Sequence, residues 1–381
     1  MKIKDKYAVV AQSVEHVIGN DEVTSSILVN GSMYKKAIKP FLFLFDPEKV
    51  HNAFVWFGET LGSFALGRIV VDLFYGYRGA DISKVVDGIY YRTPVVLAAG
   101  FDYNARLTEI LPSLSFGGEE IGSITALPCA GNPSPQLRRL PHTKSILVNK
   151  GLRNDGADAI IKRLQAKEKM KDFVLGVSIA RTNDPSASTV EAGIADYALG
   201  LEKMINAGVG DYYTINISCP NSFGGEAFTT PELLEKLFAR LDAVSRAKPL
   251  YVKMPISISD ETFRQLLAVL DRHEVSGVII GNLQKDYAKI DAKDHMPKKY
   301  EGGLSGKPCE DRSNELIAFA KKEYQKRFTV IGCGGVFSYE DAKKKFDAGA
   351  DLIQLITGMI YEGPALMKMI CRGLALQKIQ K

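Results

Sequence analysis

From residue 94 onward, short apolar runs alternate with amphipathic stretches. The runs are Val95–Gly100, Glu119–Ile124, Leu175–Ala180, Tyr212–Ser218, Leu250–Pro255, Gly277–Asn282, Thr329–Gly334 and Leu352–Thr357. Between them, helical periodicity is clearest over Glu232–Ser245, Asp260–His273, Ser313–Tyr324 and Tyr339–Ala348. Short, mostly apolar runs are what strands look like when helices cover them, and eight βα units predict a (β/α)8 TIM barrel. Polar residues and glycines gather where the runs end: Asp102-Tyr103-Asn104, Ser123, Thr125, Ser178, Asn216, Cys219, Lys253, Asn282, Gly334-Gly335 and Thr357-Gly358. Barrel active sites are built on that carboxyl rim.

A different pattern precedes the barrel. Asp46 as N-cap and Pro47 at the first helical position start a helix, along which Val50, Phe54, Phe57, Leu61 and Phe64 recur at three- and four-residue spacing. Trp56 stands beside that stripe, and Lys35, Lys36 and Lys39 precede Phe41-Leu42-Phe43-Leu44-Phe45. Such an apolar, basic-tipped arm over residues 33–80 can pack on the barrel or lie in a membrane interface, and the pattern leaves both open. Asp87-Gly88 between Val85-Val86 and Ile89-Tyr90-Tyr91 predicts a hairpin, acting as a small lid or plug. Residues 1–32 read as neither a domain nor a targeting peptide. Ala11–His16 and Ser25–Leu28 back-translate into sequences resembling the D-arm and T-loop of a transfer RNA gene, in order and at a suitable distance. Residues 1–32 are therefore expected to be a non-native or disordered leader, with the true start at Met33.

Composition narrows the function classes. With 46% hydrophobic and 24% charged residues, the 381-residue chain has an ordinary soluble composition, and its length suggests one large α/β barrel or two smaller domains. The net charge of +5 is mild and forms no basic stripe interleaved with aromatics, which argues against nucleic acid. Five widely spaced cysteines without a CxxC pair argue against a metal site or a disulfide framework. No apolar run is long enough to span a bilayer.

The candidate chemistry centres on Thr214-Ile215-Asn216-Ile217-Ser218-Cys219-Pro220-Asn221. Pro220 ends the strand and leaves a thiol at its carboxyl end between two amides. An ionised thiol is a base or nucleophile, although a lone cysteine is also a common small core residue. Glycines after the seventh and eighth strands would expose N–H groups to a phosphate. Lys253, ending the fifth strand, is either the partner of an anionic ligand or a snorkelling surface cation.

These residues resemble the dihydroorotate dehydrogenase family, most closely its quinone-linked, membrane-associated class. The matching stretches include Leu97–Asp102, Glu120-Ile121-Gly122, Gly131-Asn132-Pro133, Asn149–Gly156, Asn216–Asn221, Val252-Lys253, Gly302–Pro308, Ile331–Phe337 and Thr357–Pro364, in the family's order. The resemblance implies an FMN-binding TIM barrel over residues 81–381. It implies oxidation of dihydroorotate to orotate, with electrons passed to a membrane quinone, in pyrimidine biosynthesis. A peripheral place on the cytoplasmic face of the cell membrane goes with it. Cys219 would be the base, and Asn149, Asn216, Asn221 and Asn282 would hold the substrate. Ala99, Gly100, Ser123, Ser178, Asn216, Lys253, Gly303, Gly306, Gly334, Gly335, Thr357 and Gly358 would hold FMN. His51 and Arg139 would serve the quinone. The chain departs from the pattern in several places. Cysteine replaces the class's serine base, Tyr103 a substrate lysine, Ser178 an asparagine, Leu283 a hydroxyl residue and Ile356 a tyrosine. Those departures leave open an FMN oxidoreductase acting on another planar heterocycle, or a flavin-holding barrel without turnover.

Overall fold

A computed structural model describes residues 31–218, 228–296 and 301–379. Helices α1 (Lys39–Phe43), α2 (Pro47–Gly62) and α3 (Ala65–Tyr75) form the N-terminal arm, followed by a hairpin, β1 (Lys84–Val86) and β2 (Ile89–Tyr91). The next elements are β3 (Val95–Leu97), β4 (Gly118–Ile124), β5 (Leu137–Leu140), β6 (Ser145–Val148), α4 (Ala157–Gln165) and β7 (Val174–Ile179). Then come α5 (Val190–Asn206), β8 (Tyr212–Asn216), α6 (Pro231–Leu241), β9 (Leu250–Met254), α7 (Asp260–Leu270) and β10 (Gly277–Ile280). The last third holds β11 (Gly303–Leu304), α8 (Glu310–Tyr324), β12 (Thr329–Cys333), α9 (Tyr339–Asp347), β13 (Leu352–Leu355), α10 (Thr357–Glu362) and α11 (Leu366–Ile379). Among the described residues, the eight expected runs close into a parallel barrel in the order β10-β12-β13-β3-β4-β7-β8-β9.

Both faces of the barrel strands are buried. Ile121, Val177, Ile215, Val252, Ile280 and Val330 pack outward against Leu201, Leu237, Leu266 and Leu316 of the helices. Several strands end one to three residues earlier than expected, because the backbone turns off the ladder at Gly100 (φ 113°), Gly281 (φ 143°) and Gly334 (φ 93°). A β-carbon at Gly281 would run into the Cys333 carbonyl oxygen, so this turn requires glycine.

The expected hairpin forms. Asp87 (φ 49°) and Gly88 (φ 77°) make its two-residue turn. The Asp87 carboxylate accepts bonds from Tyr251 Oη (2.5 Å) and Thr329 Oγ1 (3.0 Å), near the starts of β9 and β12. Val86 and Tyr91 join Val96, Tyr212, Tyr251, Ile279, Ile331 and Leu352 in one apolar cluster. The hairpin is therefore a plug for the amino-terminal mouth, leaving the carboxyl rim open for a site.

Asp46 caps α2 as expected, accepting from the N–H groups of Glu48 (3.0 Å) and Lys49 (2.9 Å). Much of the apolar stripe lies outward: Phe54 and Phe57 of α2 are exposed, with Trp56 beside them and Phe64 after the helix, as are Phe41, Leu44 and Phe45 before it, while Val50 is half-buried and Leu61 packs on the core. Its packed face is instead small, with Val55 buried and Gly58 and Gly62 set against Leu107 and Ile110. Helices α2 and α3 meet at a 112° bend, and no single described helix is long and apolar enough to cross a membrane. The leader expected over residues 1–32 lies outside the described residues except for Gly31 and Ser32, and Gly31 already accepts the Lys35 N–H (3.0 Å) at the start of the arm.

Candidate active site

A cavity opens on the carboxyl rim, between the barrel, the arm and a three-stranded cover sheet of order β11-β6-β5. Leu137, Ile146 and Val148 of that sheet line the cavity, and Phe101 and His51 close its side toward the arm. The cover sheet was not legible in the sequence. Its strands are two to four residues long, and β11 pairs across a wide gap in the chain, Gly303 opposite Val148.

Most of the residues expected at the site converge here. Ala99, Gly100, Ser123, Asn216, Lys253, Asn282, Gly306, Gly334, Gly335, Thr357 and Gly358 all line the cavity, with Leu283 and Ile356 among them. Others stand further back. Ser178 is fully buried behind the lining, its hydroxyl 2.7 Å from that of Ser123. Gly303 is in β11, where a β-carbon would strike Leu283. Asn149 stands beside the cavity wall, its Oδ1 accepting from Asn132 Nδ2 (2.7 Å). Arg139 lies under the arm, donating to the Phe45 carbonyl (2.6 Å) with its guanidinium 4.6 Å from the Phe43 ring. Cys219 and Asn221 lie outside the described residues.

The floor is one polar network. Ser123 Oγ accepts from Asn216 Nδ2 (2.8 Å), while Asn216 Oδ1 accepts from the Ser218 N–H (3.2 Å). Asn282 Nδ2 donates to Ser218 Oγ (2.6 Å), and Ser218 Oγ donates to the Lys253 carbonyl (2.9 Å). Ser218 is thus a hub to which sequence reasoning gave no role, since a serine one residue before a candidate base looks like part of the strand.

Lys253 is 5% exposed and faces this cavity. Among the described residues no acidic side chain pairs with its ammonium, and the cavity lining contains no aspartate or glutamate. Cys309 and Cys333 also line it, but burial pushes both thiols up, Cys309 to about 12, which keeps them protonated and unreactive at neutral pH. His51 stacks on Tyr103 (centroids 5.6 Å, planes 19° apart) and meets Phe101 edge-on at 4.8 Å. Its Nε2 is buried without a hydrogen-bond partner, and burial followed by the positive charges of Lys150 and Arg153 drives its pKa down to about 3. The ring is neutral at any physiological pH. Sequence reasoning gave no role to Lys150 and Arg153, although they stood inside a stretch it singled out.

The arrangement is a polar floor carrying a buried cation, a glycine-lined wall and, on the side of the arm, a cluster of the Phe101, Tyr103 and His51 rings. The family model described as Dihydroorotate dehydrogenase matches residues 82–377. The dihydroorotate dehydrogenase (quinone) of Christiangramia forsetii is 34% identical over 344 residues, covering 89% of this chain and 97% of that protein. The enzyme of the same name from Acaryochloris marina is 32% identical, covering 92% of this chain and 96% of that protein. Among solved structures, ligand-free DHODH from Eimeria tenella superposes with a TM-score of 0.75 at 26% identity, covering 88% of this chain and 96% of that one. The same enzyme in complex with ferulenol gives 0.74 at 25% identity, covering 88% and 92%.

Proposed function

The chain belongs to the dihydroorotate dehydrogenase family, and from that premise we propose that it oxidises dihydroorotate to orotate on bound FMN and passes the electrons to a membrane quinone, in the making of pyrimidines. The observation that carries the reading is Lys253. A buried ammonium without a counter-ion is costly, so a fold that keeps one facing a cavity is built for an anionic or electron-rich ligand.

The residues suit a flavin phosphate. Gly334 and Gly335 both have positive φ (93° and 78°), and a β-carbon on Gly358 would run into the Val336 carbonyl oxygen. The first N–H groups of α10, those of Thr357 and Gly358, have no partner within the helix and border the same wall. FMN, when bound, supplies the hydride acceptor. Lys253 would balance the negative charge that reduction creates, as a fixed donor aimed at developing charge. Asn216 and Asn282, tied together through Ser218, would hold the planar ring of the substrate. Cys219, directly after that hub in the chain, is the base in this reading. Its thiolate would take one hydrogen of dihydroorotate as a proton, and bound FMN would supply the acceptor for the neighbouring hydride. His51 and Arg139, between arm and barrel, would border the quinone.

Anaerobic addition of dihydroorotate to the yellow protein should bleach the flavin, and addition of a quinone should restore the colour. A flavin that stays oxidised under dihydroorotate would exclude this substrate. The exposed aromatics of the arm support peripheral docking on a membrane, which this reading takes to be the cytoplasmic face, since each apolar side chain buried in lipid contributes about 1.5–3 kcal/mol. Replacing Phe41, Trp56 and Phe57 together by serine is expected to abolish co-sedimentation with anionic vesicles while leaving flavin reduction by dihydroorotate intact. Unchanged co-sedimentation would remove the arm from membrane binding.

A further inference from the structure

Two cations of the cavity wall, Lys150 and Arg153, have no role in the chemistry above. Both belong to the loop that follows β6, and that loop is braced by backbone and side-chain bonds. The Lys150 carbonyl accepts from Asn132 N–H (3.1 Å), and Cys129 and Asn154 exchange backbone bonds of 2.9 and 3.0 Å. Asn183 Nδ2 adds a bond to the Gly151 carbonyl (2.9 Å). The Lys150 ammonium lies 4.4 Å from the centre of the Tyr103 ring, which is itself stacked on His51. A cation over an aromatic face is held by the ring's quadrupole, which restricts an otherwise flexible lysine stem.

Among the described residues, neither Lys150 nor Arg153 has an ion pair or a side-chain hydrogen bond. The nearest acid acting on Lys150 is Glu48 of the arm, whose carboxylate is already occupied by the Gln136 N–H (2.6 Å) and Ser134 Oγ (3.2 Å). Together with Lys253, three positive side chains line a cavity to which, among the described residues, no carboxylate contributes. The phosphate has its own wall of glycine backbone on the loops after β12 and β13, and Lys253 sits on the floor with the amides. Lys150 and Arg153 are therefore left to face a second, separate anionic group.

We propose that Lys150, fixed over Tyr103 and assisted by Arg153, grips the carboxylate of the substrate and so selects carboxylated over uncharged pyrimidines. The proposal rests on the dihydroorotate reading above. Burial and the charge of Arg153 lower Lys150 to about 8, which still leaves it largely protonated at neutral pH. Arg153 is exposed at the cavity mouth, where it can meet the incoming anion first.

The test is an equilibrium titration of the flavin-loaded protein, followed by the perturbation of its visible spectrum, with orotate and with uracil, which lacks the carboxylate. A hydrogen bond to a charged group corresponds to roughly tenfold to hundredfold in affinity. Lys150→Met is expected to weaken orotate by that factor and leave uracil unchanged, while Lys150→Arg stays within a few-fold of the wild type. In turnover, the KM for dihydroorotate should rise with kcat nearly unchanged, as for a contact made equally in ground and transition states. Arg153→Gln should show the same ligand selectivity with a smaller loss, which keeps the question decidable even if Lys150→Met folds poorly. Orotate binding unmoved in both variants, or orotate and uracil weakened alike, overturns the proposal. Failure of the wild-type protein to bind orotate or to be bleached by dihydroorotate would instead overturn the reading it rests on.

Discussion

Lys253→Ala is expected to slow flavin reduction by dihydroorotate about 10²–10³-fold while the flavin stays bound, because loss of one preorganised donor costs about 2.7–4 kcal/mol. The side chain is 5% exposed, projects from β9 into the cavity and meets no carboxylate there among the described residues. Its value should therefore appear when negative charge develops and be small before that moment. Stopped-flow reduction would record the rate, and equilibrium titration should record a lowered flavin potential. Stability should move the other way. Removing an unpaired buried charge relieves a desolvation cost, so the flavin-free variant is expected to melt higher than the flavin-free wild type. Normal reduction by Lys253→Ala would mean that this ammonium does not face the reacting ring.

Cys219→Ala should lose about 10²–10⁴-fold in flavin reduction, the range for a positioned acid–base group, and should retain the flavin because the glycine wall is on other strands. The residue lies outside those described, but its chain neighbour Ser218 is fixed from Asn216, Asn282 and the Lys253 carbonyl. An unperturbed thiol ionises near pH 8.5, so the wild-type rate should rise with pH and level off as the thiolate fills. Iodoacetamide should report on this position selectively, since burial holds the two cavity thiols Cys309 and Cys333 in their neutral forms. Orotate should protect against it. Cys219→Ser should also be slow, because a serine base needs an activating neighbour. Near-normal reduction by Cys219→Ala would remove the thiol from the reaction.

The barrel was legible because its strands are short, apolar and evenly spaced, with glycine and polar residues at each carboxyl end. All eight runs, the Asp46 cap and the Asp87-Gly88 turn are local signals, fixed by side chains within a few residues of one another. What stayed hidden depends on distant partners. The pairing of β11 with β6 joins two segments too short to announce themselves. The orientation of the α2 stripe was undecidable because phenylalanine suits both a core and an exposed apolar surface. Its inward face turned out to use glycines, whose closeness to Leu107 and Ile110 no periodicity reveals. At the cavity, most of the motif residues expected at strand ends do line the wall, while Ser218, Lys150 and Arg153 had been given no role. Each owes its position to partners outside its own stretch: Ser218 to Asn282 and Lys253, Lys150 to Tyr103, and Arg153 to the backbone pairing of Cys129 with Asn154.

The closure of the barrel has a consequence for how the protein is made. Its seam joins β13 to β3, with Ile353 opposite Val95, and the cavity roof joins Gly303 to Val148. During synthesis the first strands emerge long before their last partners exist, and such non-local pairings are slow to form because a long loop must close first. Residues 334–335 and 357–358, to which we assign the flavin phosphate, are made after seven and all eight of the barrel strands respectively. On that reading a complete flavin site cannot form before the last barrel strands are made, and until then the exposed strand edges need protection from aggregation.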